Sequence, residues 1–99
     1  MDFREQVLEM VQKVPKGKVT TYKLLAEALG TRAYQAVGQA LRHNAHPIVV
    51  PCHRVIASDG SIGGYAGKRG SRKKKELLEA EGVAVQNRRI DLQRHLFRF

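Results

Sequence analysis

Tyr22–Lys23–Leu24–Leu25–Ala26–Glu27–Ala28–Leu29–Gly30–Thr31–Arg32–Ala33–Tyr34–Gln35–Ala36–Val37–Gly38–Gln39–Ala40–Leu41–Arg42 reads as two short helices hinged at Gly30. In the first, Leu24, Leu25, Ala28 and Leu29 recur at helical spacing and make one apolar face. Gly30 is its natural stop, because the residue after a helix often takes a positive φ that costs glycine nothing. Thr31 stands where it can cap the next helix, expected over 33–42. Helix, glycine turn and helix form the helix-turn-helix signature.

Upstream, Phe3, Val7, Leu8, Met10, Val11 and Val14 share one face of a helix expected over 3–14, which Pro15–Lys16–Gly17–Lys18 ends. Val19–Thr20–Thr21 is short and β-branched, and a threonine there can cap the helix that starts at Tyr22. Downstream, 43–47 has loop composition and 48–51 is extended. Val55–Ile56–Ala57 suits a strand, Asp59–Gly60 a turn, and the glycine-rich 61–67 a returning wing. Ser71 can cap a fourth helix to about Ala80, with Leu77 and Leu78 inward and Gly82 as its stop. Leu92, Leu96, Phe97 and Phe99 in the tail are expected to close the core. The fold class expected is mainly α: a winged helix-turn-helix with a small β-sheet around Val19, 55–57 and Ile62, and no parallel pairing.

The chain has 99 residues, enough for a single domain over 1–99. Lys and Arg number 18 against 9 Asp and Glu, a net charge of +9 with an isoelectric point near 10.2. Such an excess suits a polyanion, and nucleic acid leads. An anionic membrane surface fits less well, because no helix joins a basic face to an aromatic apolar one. A basic surface kept only for solubility is the plainer alternative. The longest apolar run is Ile48–Val49–Val50, far short of a membrane span, and the first five residues do not resemble a secretory leader. Residues 68–75 carry six positive charges in eight positions, which marks Lys73, Lys74 and Lys75 as phosphate contacts. The helix over 33–42 would be the recognition helix. Its small residues, Ala33, Ala36, Gly38 and Ala40, suit close approach to a minor groove about 6 Å wide; they equally suit packing against the first helix.

One cysteine excludes an internal disulfide and fits a reducing interior, cytoplasmic or chromosome-associated. It lies in Pro51–Cys52–His53–Arg54–Val55–Ile56. A thiol needs an imidazole or cationic surroundings to ionise near neutral pH, and His53 and Arg54 follow directly. The alternative is a small buried hydrophobe. His43 and His46 match no standard zinc spacing, so no metal is expected.

Around this centre stand Gly17–Lys18–Val19–Thr20–Thr21–Tyr22, Ala36–Val37–Gly38, Asn44 eight residues before the cysteine, Tyr65 thirteen after it, and Glu81–Gly82. In this combination the chain resembles the DNA-binding, active-site domain of the methylated-DNA–protein-cysteine methyltransferases, the O6-alkylguanine-DNA alkyltransferases. The resemblance implies direct reversal of damage in double-stranded DNA. An O6-alkylguanine is flipped out, its alkyl group moves irreversibly to sulfur, and each molecule acts once, as a monomer and without a cofactor. It implies Cys52 as nucleophile, His53 as its proton acceptor through a water, and Glu81 as the group that orients His53. Tyr22 would donate to a ring nitrogen of guanine, and Asn44 would brace the turn that presents Cys52. Tyr65, Val55, Ala66 and Gly67 would line the base pocket. Tyr34, Gln35, Ala36, Arg42 and Arg54 would face DNA. Singly, several have plainer readings: Tyr22 as a packing residue, Glu81 as helix surface, Arg42 as a charge favoured by the helix dipole, Asn44 as a helix stop.

Three departures stand out. The family often has a separate N-terminal domain, whereas here the active-site domain is expected to begin already at Phe3; Gln35 occupies the place of an intercalating arginine; Ala66 replaces the serine that commonly follows the pocket tyrosine. A second reading is the alkyltransferase-like damage sensor, which binds alkylguanine DNA without chemistry and flags it to other repair proteins. Such proteins typically replace the cysteine that is kept here. A plain winged-helix transcription factor would leave 51–55 without purpose.

Overall fold

The computed structural model describes residues 2–42, 51–62 and 72–99. Asp2 caps α1 (Phe3–Val11) by accepting from the Glu5 N–H at 2.8 Å. The helix stops three residues before the apolar spacing does, yet Val14 is still fully buried in the turn that follows. Thr21 closes β1 (Thr20–Thr21) and also caps α2 (Tyr22–Ala28), its hydroxyl accepting from Leu24 N–H at 3.1 Å. At the far end Gly30 takes φ +72°, so Thr31 N–H reaches the Ala26 carbonyl and Gly30 N–H the Glu27 carbonyl, both at 3.0 Å. These paired bonds satisfy carbonyls that the helix end leaves open. α3 (Tyr34–Arg42) begins one residue later than expected, because the Thr31 hydroxyl accepts from Ala33 N–H and closes a tight turn instead of capping the helix.

α3 packs on α1 and α2. Val7, Val11, Leu25, Ala26, Val37, Ala40, Leu41 and Val55 form the first core. Ala26 holds the place expected for Ala28, which is exposed. A second core joins Val19, Ile56, Ile62, Leu78, Val83, Val85 and Ile90. Between the two runs β2 (Val55–Ile56), whose adjacent side chains point to opposite faces, one into each core.

The strand pairing corrects an expectation. β1 and β2 are parallel, Thr20 opposite Val55 and Thr21 opposite Ile56. α2 and α3 lie between them, and a helical crossover returns the chain in the direction it left. The sheet is otherwise small, as expected. Past β2 the chain turns at Gly60, φ +90°, where a Cβ would stand 2.8 Å from the Ile90 carbonyl oxygen. Ser61 then pairs antiparallel with Arg89. Most of the expected wing, residues 63–67, and the expected cap Ser71 lie outside the described residues.

α4 (Arg72–Ala80) buries Leu78 and half-buries Leu77. Val83, Val85 and Ile90 supply most of the tail's core contribution, with Leu92 packed beside them. Asp91 caps the short α5 (Leu92–His95). Leu96 bridges to Val19, with Val19 N–H on the His95 carbonyl at 2.8 Å. Phe97 and Phe99 meet edge to face, and Phe99 is 41 % exposed, so these two do not close the core. Among the described residues no helix is long and apolar enough to cross a membrane.

Candidate active site

Pro51 is buried and leads into a 3-10 turn, Cys52–Arg54, that runs straight into β2. With three residues per turn, three consecutive side chains leave such a turn in different directions. Cys52 is half-buried against the first core, as is Tyr22, close enough for its charge to act on the phenol. His53 is buried, and its Nε2 lies 3.0 Å from Oε2 of Glu81, just past the end of α4. Arg54 grips the same carboxylate with both prongs, Nε to Oε1 at 2.9 Å and Nη2 to Oε2 at 2.6 Å. Its Nη1 donates to the Val14 carbonyl at 2.8 Å.

The electrostatics follow from this packing. Burial pushes the Glu81 carboxyl up, but hydrogen bonds from Arg54 and His53 overcome it and hold its pKa below the usual value. His53 is pushed down, first by burial and then by the charges of Arg54 and Lys74, against the pull of Glu81. It is therefore a neutral imidazole at pH 7, the form able to accept a proton. Tyr22, the first residue of α2, is raised above the usual phenol value by burial and by Cys52, with Arg42 opposing. It keeps its proton and can donate it.

The structure therefore brings Cys52, His53, Glu81, Tyr22 and the backbone of Val55 into one region. Two expectations need correction. Arg54, 15 % exposed, turns its guanidinium inward onto Glu81 and the Val14 carbonyl rather than outward as expected of a DNA-facing cation. Lys74 leaves the basic run: it is 1 % exposed, and its ammonium donates to the Val55 carbonyl at 2.8 Å. The signal for this was its place four residues before Leu78, on the inward face of α4. Lys73 and Lys75 are exposed, as are Tyr34, Gln35, Ala36 and Arg42 on α3. Ala40 is small because it packs in the core. Ala36 is exposed and a Cβ on Gly38 would meet nothing within 4 Å among the described residues, so packing among them does not demand their size. Asn44, Tyr65, Ala66 and Gly67 lie outside the described residues, as do His43 and His46. Among the described residues no three His, Cys, Asp or Glu side chains form a metal-binding group.

The profile of the DNA-binding domain of 6-O-methylguanine DNA methyltransferase matches residues 2–83. A methylated-DNA–protein-cysteine methyltransferase of Saccharolobus islandicus is 52% identical over 83 residues, 84% of this chain and 52% of that protein. The chain spans about half the length of the curated relatives it matches. The crystal structure of S. pombe Atl1, in complex with damaged DNA containing O6-carboxymethylguanine, superposes with a TM-score of 0.87 at 32% identity, covering 98% of this chain and 95% of that one. Mycobacterium tuberculosis OGT in complex with DNA gives a TM-score of 0.75 at 40% identity, over 82% of this chain and 50% of that one.

Proposed function

The chain belongs to the O6-methylguanine DNA methyltransferase family, matched through its DNA-binding domain, and on that premise we propose that it binds double-stranded DNA carrying O6-alkylguanine and moves the alkyl group onto Cys52. The observation that carries the reading is the Cys52–His53–Glu81 neighbourhood: a half-buried thiol directly followed by a neutral imidazole hydrogen-bonded to a carboxylate at 3.0 Å. This is the arrangement of a nucleophile, a base and the group that orients the base.

In the reaction the Cys52 proton passes to His53 through a water. The sulfur attacks the alkyl carbon, a C–S bond forms, and the C–O6 bond breaks with its electron pair leaving on guanine. Tyr22, protonated, donates to a ring nitrogen and eases that departure. Guanine gains one proton for the one that sulfur lost. The thioether does not revert, so each chain turns over once. Val55, Tyr65, Ala66 and Gly67 would line the pocket, and Asn44 would brace the cysteine turn. Tyr34, Gln35 and Ala36 would meet the groove from the exposed start of α3, where the small Ala36 and Gly38 allow close approach. Arg42, Lys73 and Lys75 would meet phosphates. Residues 1–99 act as the active-site domain, without cofactor, and the substrate places the protein with the chromosome inside the cell.

Mass spectrometry after incubation with O6-methylguanine duplex tests this. One methyl group per chain is expected, on Cys52. Cys52→Ala should take none and still bind the damaged duplex. Turnover beyond one equivalent would contradict the mechanism. A second reading, a sensor that binds without chemistry, is favoured by the fit to nearly all of Atl1 and by Gln35. Tight binding of the damaged duplex with Cys52 unmodified would decide for it.

A further inference from the structure

We propose that Arg54 is a positioning residue of this site: by gripping both oxygens of Glu81 it fixes the tautomer of His53, so that Nδ1 is the nitrogen that receives the Cys52 proton. The inference rests on the reading of Cys52 as nucleophile. Nothing in the sequence distinguishes Arg54 from a DNA-facing cation; its geometry does.

Glu81 receives Arg54 on Oε1 at 2.9 Å and on Oε2 at 2.6 Å, a two-pronged, charge-assisted pair. A carboxylate so held stays ionised and can only accept. His53 Nε2, 3.0 Å from Oε2, must therefore carry a hydrogen. In a neutral imidazole the lone pair then belongs to Nδ1. Among the described residues, the charged groups that act on the ring are Glu81 beyond α4, Lys74 on α4 and Arg54 on the 3-10 turn, and Cys52 precedes His53 on that same turn. Burial first, and then the two cations, keep the ring neutral and so leave the lone pair on Nδ1. Arg54 is itself fixed from a third side, with Nη1 on the Val14 carbonyl just past α1. The base is thus registered against a helix forty residues away in the chain. A lysine has no planar fork and cannot hold both oxygens and a third acceptor in one plane.

The test reads the ring directly. In the full chain at pH 7.5, nitrogen-15 spectra should show a protonated Nε2 and an unprotonated Nδ1 for His53. The opposite tautomer in the unmodified chain would overturn the proposal without any variant. Arg54→Met and Arg54→Lys should each give a mixed tautomer. Capture of Cys52 by iodoacetamide at pH 7 should slow at least about tenfold, part of the 10²–10⁴-fold that a positioned base supplies. Its pH midpoint should rise. An amide spectrum matching that of the parent shows that the variant is folded. A folded Arg54→Lys with the parent tautomer and pH profile would reduce Arg54 to a bystander charge. Neither readout uses alkylated DNA, so both stand even if methyl transfer to Cys52 is not found.

Discussion

The ammonium of Lys74 donates to the Val55 carbonyl at 2.8 Å from a position 1 % exposed, beneath the turn that carries Cys52. Burial lowers its pKa from 10.5 to about 8, with Cys52 opposing. Below pH 8 folded and unfolded chains both hold the proton, and the folded chain bears the full cost of burying it, about 3 kcal/mol by the pKa difference. Between pH 8 and 10.5 the folded chain releases a proton that the unfolded chain keeps, so this contribution to stability rises with pH. Lys74→Met should therefore be the more stable protein at pH 7, by about 1–3 kcal/mol. The gap should narrow by pH 10. Urea titrations at the two pH values check this, and an unchanged gap would mean that the ammonium titrates normally.

His53 titrates below its usual 6.5 because it is buried among cations. Protonation thus favours the unfolded chain, and the stability His53 contributes is fully present above about pH 6.5 and lost as pH falls through its lower folded value. Methyl transfer should follow the same limb: flat from pH 7.5 to about 6.5, then falling as the base is filled. A rate already halved above pH 6.5 would show that His53 is not the acceptor, or that it is not neutral at rest.

Gln35 is exposed in the first turn of α3, where the resemblance implies an intercalating arginine. Flipping a base costs a few kcal/mol, and a guanidinium that stacks and carries charge recovers more of that cost than an amide. Gln35→Arg should speed repair of duplex O6-methylguanine several-fold and leave repair of the free alkylated base unchanged. The ratio of the two rates is the measurement. Equal gains on both substrates would make Gln35 a pocket or folding residue.

Lys73 and Lys75 are exposed on α4, whereas Lys74 between them is not. Each phosphate contact contributes about −0.9 to the slope of log affinity against log salt. Changing Lys73 and Lys75 to Ala should flatten that slope by up to about 1.8. A slope that does not move would leave both as solvated helix surface.

The four longer helices were legible because their apolar residues repeat and because Thr21 and Gly30 mark the ends of α2, whereas the caps at Asp2 and Asp91 and the short α5 were not read. The Pro51–Val55 motif drew attention to the site through chemistry that a sequence displays. What stayed hidden was direction. Cationic character along 68–75 masked the helical phase that turns Lys74 inward, four residues before Leu78. Arg54 beside His53 looked like groove chemistry, because its partners, Glu81 and the Val14 carbonyl, are remote in sequence. The parallel pairing was out of reach for a similar reason: two-residue strands have no period to read, and their register depends on packing brought about by everything between them.

That pairing also sets an order of events in time. α2, its glycine turn and α3 are neighbours in the chain, so their mutual packing closes quickly and at small entropic cost. Thr20 meets Val55, and Glu81 meets Arg54, only after long loops have closed. The surface that would face a groove can thus assemble first, while the thiol, its base and the carboxylate come into register last.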